Sequence, residues 1–187
     1  MKFETADKTE HAELIEACRV NDRDAQEKIY DLYSHAMYNT SYRIVDNTAE
    51  AEDIMQESFI EAFEKIRFFK GEGSFGSWLK RIVINKSINH LRSKQQTTIL
   101  DPDKTDIPDE NESEKTYSEN VFCRLEEIRN AIKKLPENYR IVISLNLIEG
   151  YDHEEIAGIL ETTNGNVRTR FSRAKQKLLG IIMNNRK

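Results

Sequence analysis

Apolar residues recur along this chain every three or four positions, the spacing that gives a helix one buried face. In 11–20, Leu14, Ile15 and Cys18 fall together, and the polar stretch 1–10 before them reads as frayed. In 25–38, Ile29, Leu32, Tyr33, Ala36 and Met37 share a face, with Asn21-Asp22 supplying a cap ahead of them. Tyr30, Tyr33 and Tyr38 suit a packed core better than a ligand site. In 48–66, Ala51, Ile54, Met55, Ser58, Phe59, Ala62, Phe63 and Ile66 form the inward side. A fourth helix spans 75–93, capped by Ser74. It has two apolar sides, one of Phe75, Leu79, Ile82 and Val83 and one of Ile84, Ile88 and Leu91. Trp78, Arg81, Asn85, Asn89 and Arg92 run between them.

The second half repeats the pattern. Val121, Leu125, Ile128 and Ile132 lie on one face. Leu135-Pro136-Glu137 breaks and restarts the helix with Pro at its first turn, and Gly150 closes the run Ile141, Val142, Leu145, Ile148. Asp152 and Glu155 form a capping box for a short helix carrying Ile156, Ala157 and Leu160. Thr163 caps the last helix, in which Val167, Phe171, Ala174, Leu178 and Ile181 point one way. Strand-like alternation is absent, and Gly and Pro are sparse (7 and 3). The fold class is all-α. Segment 95–119 holds Pro102 and Pro108, and 101–119 carries eight acids against two lysines. It buries too little to fold alone. The expected organisation is an N-terminal extension with a short helix (1–20), a helical domain (21–94), a flexible acidic linker (95–119) and a second helical domain with a helix-turn-helix (120–187). The linker is either a solvated tether or a segment that lies in a channel for nucleic acid.

Charge sharpens the picture because it comes in blocks. The net charge of −5 argues against a protein that coats nucleic acid at random. Residues 46–64 carry seven acids and no base, 65–94 eight bases and one acid, and 162–187 seven bases and no acid. On the helix over 48–66, Glu50, Asp53, Glu57, Glu61 and Glu64 line the outward face beside Gln56. Like charges at this spacing repel by a few tenths of a kcal/mol per pair, so the row is either solvated or reserved for a basic partner. In the last helix, Thr169, Ser172, Arg173 and Gln176 lie opposite the apolar stripe, with Arg168 on the flank. Arg, Ser and Thr can bond base edges, while Lys175 and Lys177 neutralise backbone charge. That pattern fits a recognition helix in a major groove; the alternative is a solvated αα-hairpin. Around Lys70-Gly71-Glu72-Gly73-Ser74, Phe68, Phe69 and Phe75 either stack on an unpaired base or pin the loop to the core. Asn85 and Asn89 offer base-edge donors and acceptors, or they cap a neighbouring helix.

Other chemistry is lacking. Cys18 and Cys123 lie far apart in apolar helical settings with no CxxC or Cys/His cluster, which predicts reduced structural thiols and no metal. His11, His35, His90 and His153 share no catalytic spacing, so neither an enzyme nor a cofactor is expected. No leader-like N-terminus and no apolar run near 18 residues occurs, and a cytoplasmic protein is expected.

Three segments in order, AEAEDIMQESFIEAFEKI (49–66), FKGEGSFGSWLKRIVINKSINHLRSK (69–94) and LPENYRIVISLNLIEGYDHEEIAGILETTNGNVRTRFSRAKQKLL (135–179), resemble the extracytoplasmic-function sigma factors of the sigma-70 family. The resemblance covers nearly the whole chain. It implies that Asp53, Gln56 and Glu57 dock on the clamp helices of the polymerase β′ subunit. It implies that the loop Lys70, Gly71, Glu72, Gly73, Ser74 and Phe75 captures a base flipped from the non-template strand of the downstream box. Arg81, Asn85, Asn89 and Arg92 then belong to the helix reading that box, and Arg168, Thr169, Ser172, Arg173 and Lys175 face the upstream box. The linker matches a segment threading toward the active cleft and RNA exit path. An anti-sigma factor, often membrane-anchored, is the implied regulator. Three departures stand out: Glu161 where a turn glycine is common, Asp152 for Ser, and Asn166 for Thr. A stand-alone helix-turn-helix regulator would explain 135–187 but neither the acidic helix nor the aromatic loop, and a pure adaptor would ignore Arg173 and Asn85.

Overall fold

A computed structural model describes residues 3–99 and 122–184, with side chains over 11–94 and 126–184. Most of the expected linker, 100–119, and the side chain of Cys123 fall outside these. Every regular element among the described residues is helical: α1 (Phe3–Arg19), α2 (Arg23–Val45), α3 (Thr48–Lys65), α4 (Phe75–Ile99), α5 (Phe122–Lys133), α6 (Glu137–Ile143), α7 (His153–Ile159) and α8 (Asn164–Asn184). A 3₁₀ turn, Ile66–Phe68, follows α3, and a π turn, Ser144–Ile148, follows α6. The chain divides into two compact units, the first ending at Asn89 and the second beginning at His90.

Local chemistry sets the helix ends of the first unit. After α1, Asn21 takes a left-handed φ of 62°. The amides of Asn21 and Asp22 bond back to Cys18 O (3.0 Å) and Ala17 O (3.2 Å), the Schellman pattern. Asp22 then caps α2 by accepting from the Ala25 amide (3.0 Å), and Asn47 caps α3 by accepting from the Glu50 amide (3.1 Å). Two helices outrun their apolar periodicity. α1 begins at Phe3 rather than near His11, because Glu4, Ala6, Lys8 and Glu10 are good helix formers. α4 runs to Ile99 rather than Ser93, because no breaker intervenes before Pro102.

The core of this unit joins Cys18 of α1, Ile29 and Met37 of α2, Met55, Phe59 and Ala62 of α3, and Phe75, Leu79 and Val83 of α4. The α2 face differs from expectation. Leu32 and Ala36 are exposed, and Thr40, Ser41 and Ile44 are buried instead. Ser41 Oγ and Ser87 Oγ share a buried hydrogen bond of 3.1 Å between α2 and α4. Burial, with the charge of Asp22 adding, pushes the Cys18 thiol up to about 11, so it stays protonated and inert at neutral pH.

In the second unit, Ala131, Ile132, Leu135, Ile143, Ala174 and Leu178 form the core, with Tyr139, Phe171, Ile181 and Ile182 packed on it. Ile128 and Ile148 are partly exposed, where periodicity predicts them inward. The capping box of α7 is complete. Asp152 Oδ1 accepts from the amides of Glu154 and Glu155 (2.8 Å each), and Glu155 Oε2 accepts from the Asp152 amide (2.9 Å). α7 ends in a Schellman motif, Thr162 N to Ala157 O (3.0 Å) and Glu161 N to Gly158 O (3.4 Å), which places Glu161 at a left-handed φ of 51°. A residue with a Cβ is strained there by about 1–2 kcal/mol. Glu161→Gly is therefore expected to raise the stability of this unit by about 1 kcal/mol, read as a Tm increase of about 4–8 °C. An unchanged Tm would show that losing the Glu161 Oε1–Arg92 Nη1 ion pair at 3.0 Å offsets the relieved strain.

Candidate polymerase and nucleic-acid interfaces

The outward face of α3 is acidic. Asp53, Gln56 and Glu57 are all exposed, as are Glu52 and Glu64. Two features of this face were not legible in the sequence. Ile60 stands 61% exposed among the acids, and Lys86 reaches across from α4. Its Nζ lies 3.4 Å from Glu57 Oε2 and 3.1 Å from Glu61 Oε2, while Lys65 Nζ lies 2.8 Å from Glu61 Oε1. The hydrogen bond from Lys65 holds the Glu61 carboxyl below its usual range, with Lys86 adding to the effect against partial burial. Burial alone would lower Lys86, but the Glu61 and then the Glu57 carboxylate outweigh it and raise the ammonium. Glu57, Ile60, Glu61, Glu64, Lys65 and Lys86 line a groove of ≈ 390 Å³. The sequence signal for Ile60 was an apolar residue off the buried stripe; Lys86 gave none beyond its charge.

The loop between the 3₁₀ turn and α4 is exposed from Lys70 to Ser74. Gly71 has φ +74°, a left-handed conformation that favours glycine. Ser74 caps α4 by accepting from the Ser77 amide at 3.1 Å. Phe75 faces inward at 3% exposure, its ring centroid 5.5–5.6 Å from those of Tyr33, Phe69 and Trp78. Its side chain thus fastens the loop to the core and offers no face to a base. Phe68 is the reverse. Expected as a possible pin, it is 68% exposed. Arg81, Asn85 and Asn89 lie on the exposed side of α4, and Arg92 is half-buried. Trp78 leaves that polar stripe for the aromatic cluster, because Phe69 and Phe75 give its indole more apolar contact than solvent does.

In the second unit, α8 buries Val167, Ala174 and Leu178 and exposes Arg168, Thr169, Ser172, Arg173, Lys175 and Lys177. Thr163 Oγ1 caps it by accepting from the Asn166 amide at 3.3 Å. The Thr169 hydroxyl donates to Gly165 O (2.9 Å), which leaves its lone pairs outward. Lys175 Nζ lies 5.7 Å over the Phe171 ring, a cation–π contact that steadies a long side chain.

Residues 29–97 match the family model for sigma-70 region 2, and residues 125–178 match that for sigma-70 region 4. The ECF RNA polymerase sigma factor SigW of Bacillus subtilis (strain 168) is 35% identical over 176 residues, covering 88% of this chain and 92% of that protein. This chain belongs to the ECF sigma factors of the sigma-70 family. The ECF RNA polymerase sigma-E factor of Salmonella typhimurium (strain 14028s) is 31% identical, with 88% and 90% covered. Among solved structures, the sigma factor RpoE of Bartonella quintana, crystallised with the anti-sigma factor NepR, matches with a TM-score of 0.60 at 20% identity. That match covers 84% of this chain and 96% of RpoE and supports the all-α fold.

The factor serves transcription initiation. The acidic face of α3 and the loop ahead of α4 lie in the stretch matched to region 2, and the exposed cations of α8 in the stretch matched to region 4. Among the described residues no helix is long and apolar enough to cross a membrane, and no group of His, Cys, Asp and Glu could hold a metal ion.

Proposed function

We propose that this sigma factor binds core RNA polymerase through Asp53, Gln56 and Glu57 and selects promoters by two boxes read from separate units. The first unit docks on the polymerase and presents the loop of Lys70, Gly71, Glu72, Gly73 and Ser74, which Phe75 anchors. Arg81, Asn85, Asn89 and Arg92 stand on the helix that reads the downstream box. The second unit reads the upstream box with Arg168, Thr169, Ser172 and Arg173, while Lys175 contacts phosphate. The acidic segment after α4 tethers the two and runs toward the active cleft. Two weak DNA contacts joined this way reinforce each other through effective concentration.

The observation that carries this reading is the segregation of charge. On α3 acids point outward, whereas on α8 the exposed charges are all cations. A basic protein surface suits the first and DNA suits the second. The factor performs no bond chemistry. It favours melting because an extruded base is held better by the loop than by the duplex, which offsets a few kcal/mol of unstacking. It works in the bacterial cytoplasm, and sequestration by an anti-sigma factor, free or anchored at the membrane, is the expected control.

Arg173→Ala tests the assignment of α8. Loss of one bidentate base contact lowers transcription from a cognate promoter by about 5- to 150-fold, while the affinity for core polymerase stays at the wild-type value. Equal transcription by the variant would remove Arg173 from the promoter interface.

A further inference from the structure

We propose that Lys86 is a built-in competitor of the polymerase: it occupies the Glu57 carboxylate in the free factor and gives it up on docking. The inference rests on the docking reading above and adds the regulation of that face. Lys86 stands on α4, and its Nζ lies 3.4 Å from Glu57 Oε2 and 3.1 Å from Glu61 Oε2 on α3.

A simple brace between the two helices does not account for this contact. Phe59 and Ala62 of α3 already share one core with Leu79 and Val83 of α4. An ion pair near the surface adds little to stability, and the Glu57 side chain is 66% exposed.

The network is graded so that one bond can be given up. Glu61 is held twice, by Lys65 Nζ at 2.8 Å and by Lys86 at 3.1 Å, and its side chain is only 28% exposed. Glu57 is held once, at the longest of the three distances. An incoming cation can therefore take Glu57 while Lys86 keeps Glu61, and no charge is stranded. Burial opposes the charge on Lys86, but the Glu61 and then the Glu57 carboxylate outweigh it and raise the ammonium. The competitor is thus fully charged at neutral pH.

The setting makes that charge count. Ile60, 61% exposed, stands one turn from both Glu57 and Glu64 and lines one groove with them and with Lys86. A partner that covers this apolar wall expels water, and charges beside it then interact more strongly. A basic polymerase surface meets a like charge next to the acid it needs. Lys86 accordingly lowers the affinity of the docking face without belonging to it.

The test is competition with labelled wild-type factor for core RNA polymerase, using full-length proteins. Lys86→Met and Lys86→Gln are expected to bind about three- to tenfold more tightly at low salt, and Lys86→Arg, which keeps the charge, to stay within about twofold of wild type. The gain fades at about 1 M salt, where screening acts within about 3 Å. In a Glu57→Gln background Lys86→Met is expected to give no gain, because no carboxylate is left to release. Partial unfolding cannot imitate these results, since it lowers affinity. A gain that persists in the Glu57→Gln background would overturn competition for Glu57. If Lys86→Met and Lys86→Gln bind no better than wild type while Asp53→Ala with Glu57→Ala binds worse, the docking reading stands and the Lys86 inference fails. If the acidic pair also binds like wild type, both fail.

Discussion

Replacing Asp53 and Glu57 together by alanine is expected to lower the affinity for core RNA polymerase by about 10- to 100-fold. Both side chains are exposed on one face of α3, four residues apart, so one basic surface can engage both. Charged pairs desolvated at an interface cost about 2–5 kcal/mol when one partner is removed, and pairs left at the rim much less. Two partly desolvated acids thus give the stated range. The fold survives the change. Glu57 gives up a contact of 3.4 Å with Lys86, but Lys86 keeps Glu61 at 3.1 Å, and Asp53 lies outside the buried stripe. Competition between labelled wild-type factor and the variant for core polymerase measures the effect. Unchanged competition would move the docking surface off this face of α3.

Phe75→Ala carries the largest expected cost in stability. The ring is 3% exposed and packs against Tyr33, Phe69 and Trp78. Truncating a buried Phe costs about 3–5 kcal/mol through lost transfer energy and the cavity left behind. A small domain holds about 5–15 kcal/mol in total, so the variant sits near its unfolding threshold at growth temperature. Phe68→Ala, seven positions earlier, leaves the melting point within about 2 °C of wild type, since exposed substitutions stay within about 0.5 kcal/mol. Trp78 is the chain's one tryptophan and belongs to the same cluster. Its emission reports the unfolding of this unit directly. Similar melting of the two variants would contradict the assignment of one ring to the core and the other to solvent.

That pair of phenylalanines marks where the sequence stops being informative. Both flank the same glycine-rich loop, and residue type and spacing cannot separate the buried ring from the exposed one. The choice depends on Tyr33 of α2 arriving from elsewhere in the chain to close a cluster with Phe69 and Trp78 around Phe75. Features fixed by local chemistry were readable. The box of Asp152 and Glu155 and the caps Ser74 and Thr163 involve residues within a few positions of one another. So was the burial of Val167, Ala174 and Leu178 opposite Thr169, Ser172 and Arg173, because one strong stripe defines its own back. Leu32 and Ile148 were not, since a helix with apolar residues on more than one side does not say which side a neighbour covers. The reach of Lys86 to Glu57 and Glu61 spans two helices and has no periodic signature. The π turn at Ser144–Ile148, where the Glu149 amide bonds to Ser144 O at 3.0 Å, likewise follows from packing and not from composition.

Run-off transcription tests the central claim most directly. Purified factor is added to core RNA polymerase from a related bacterium on a pool of upstream regions that includes the one preceding this gene. Transcripts with discrete starts that require the added protein are expected, and aligning the starts yields two boxes at a constant spacing. Wild-type factor that binds core polymerase yet supports no discrete start, while binding duplex DNA specifically by itself, would contradict promoter selection as part of the polymerase and favour a stand-alone regulator.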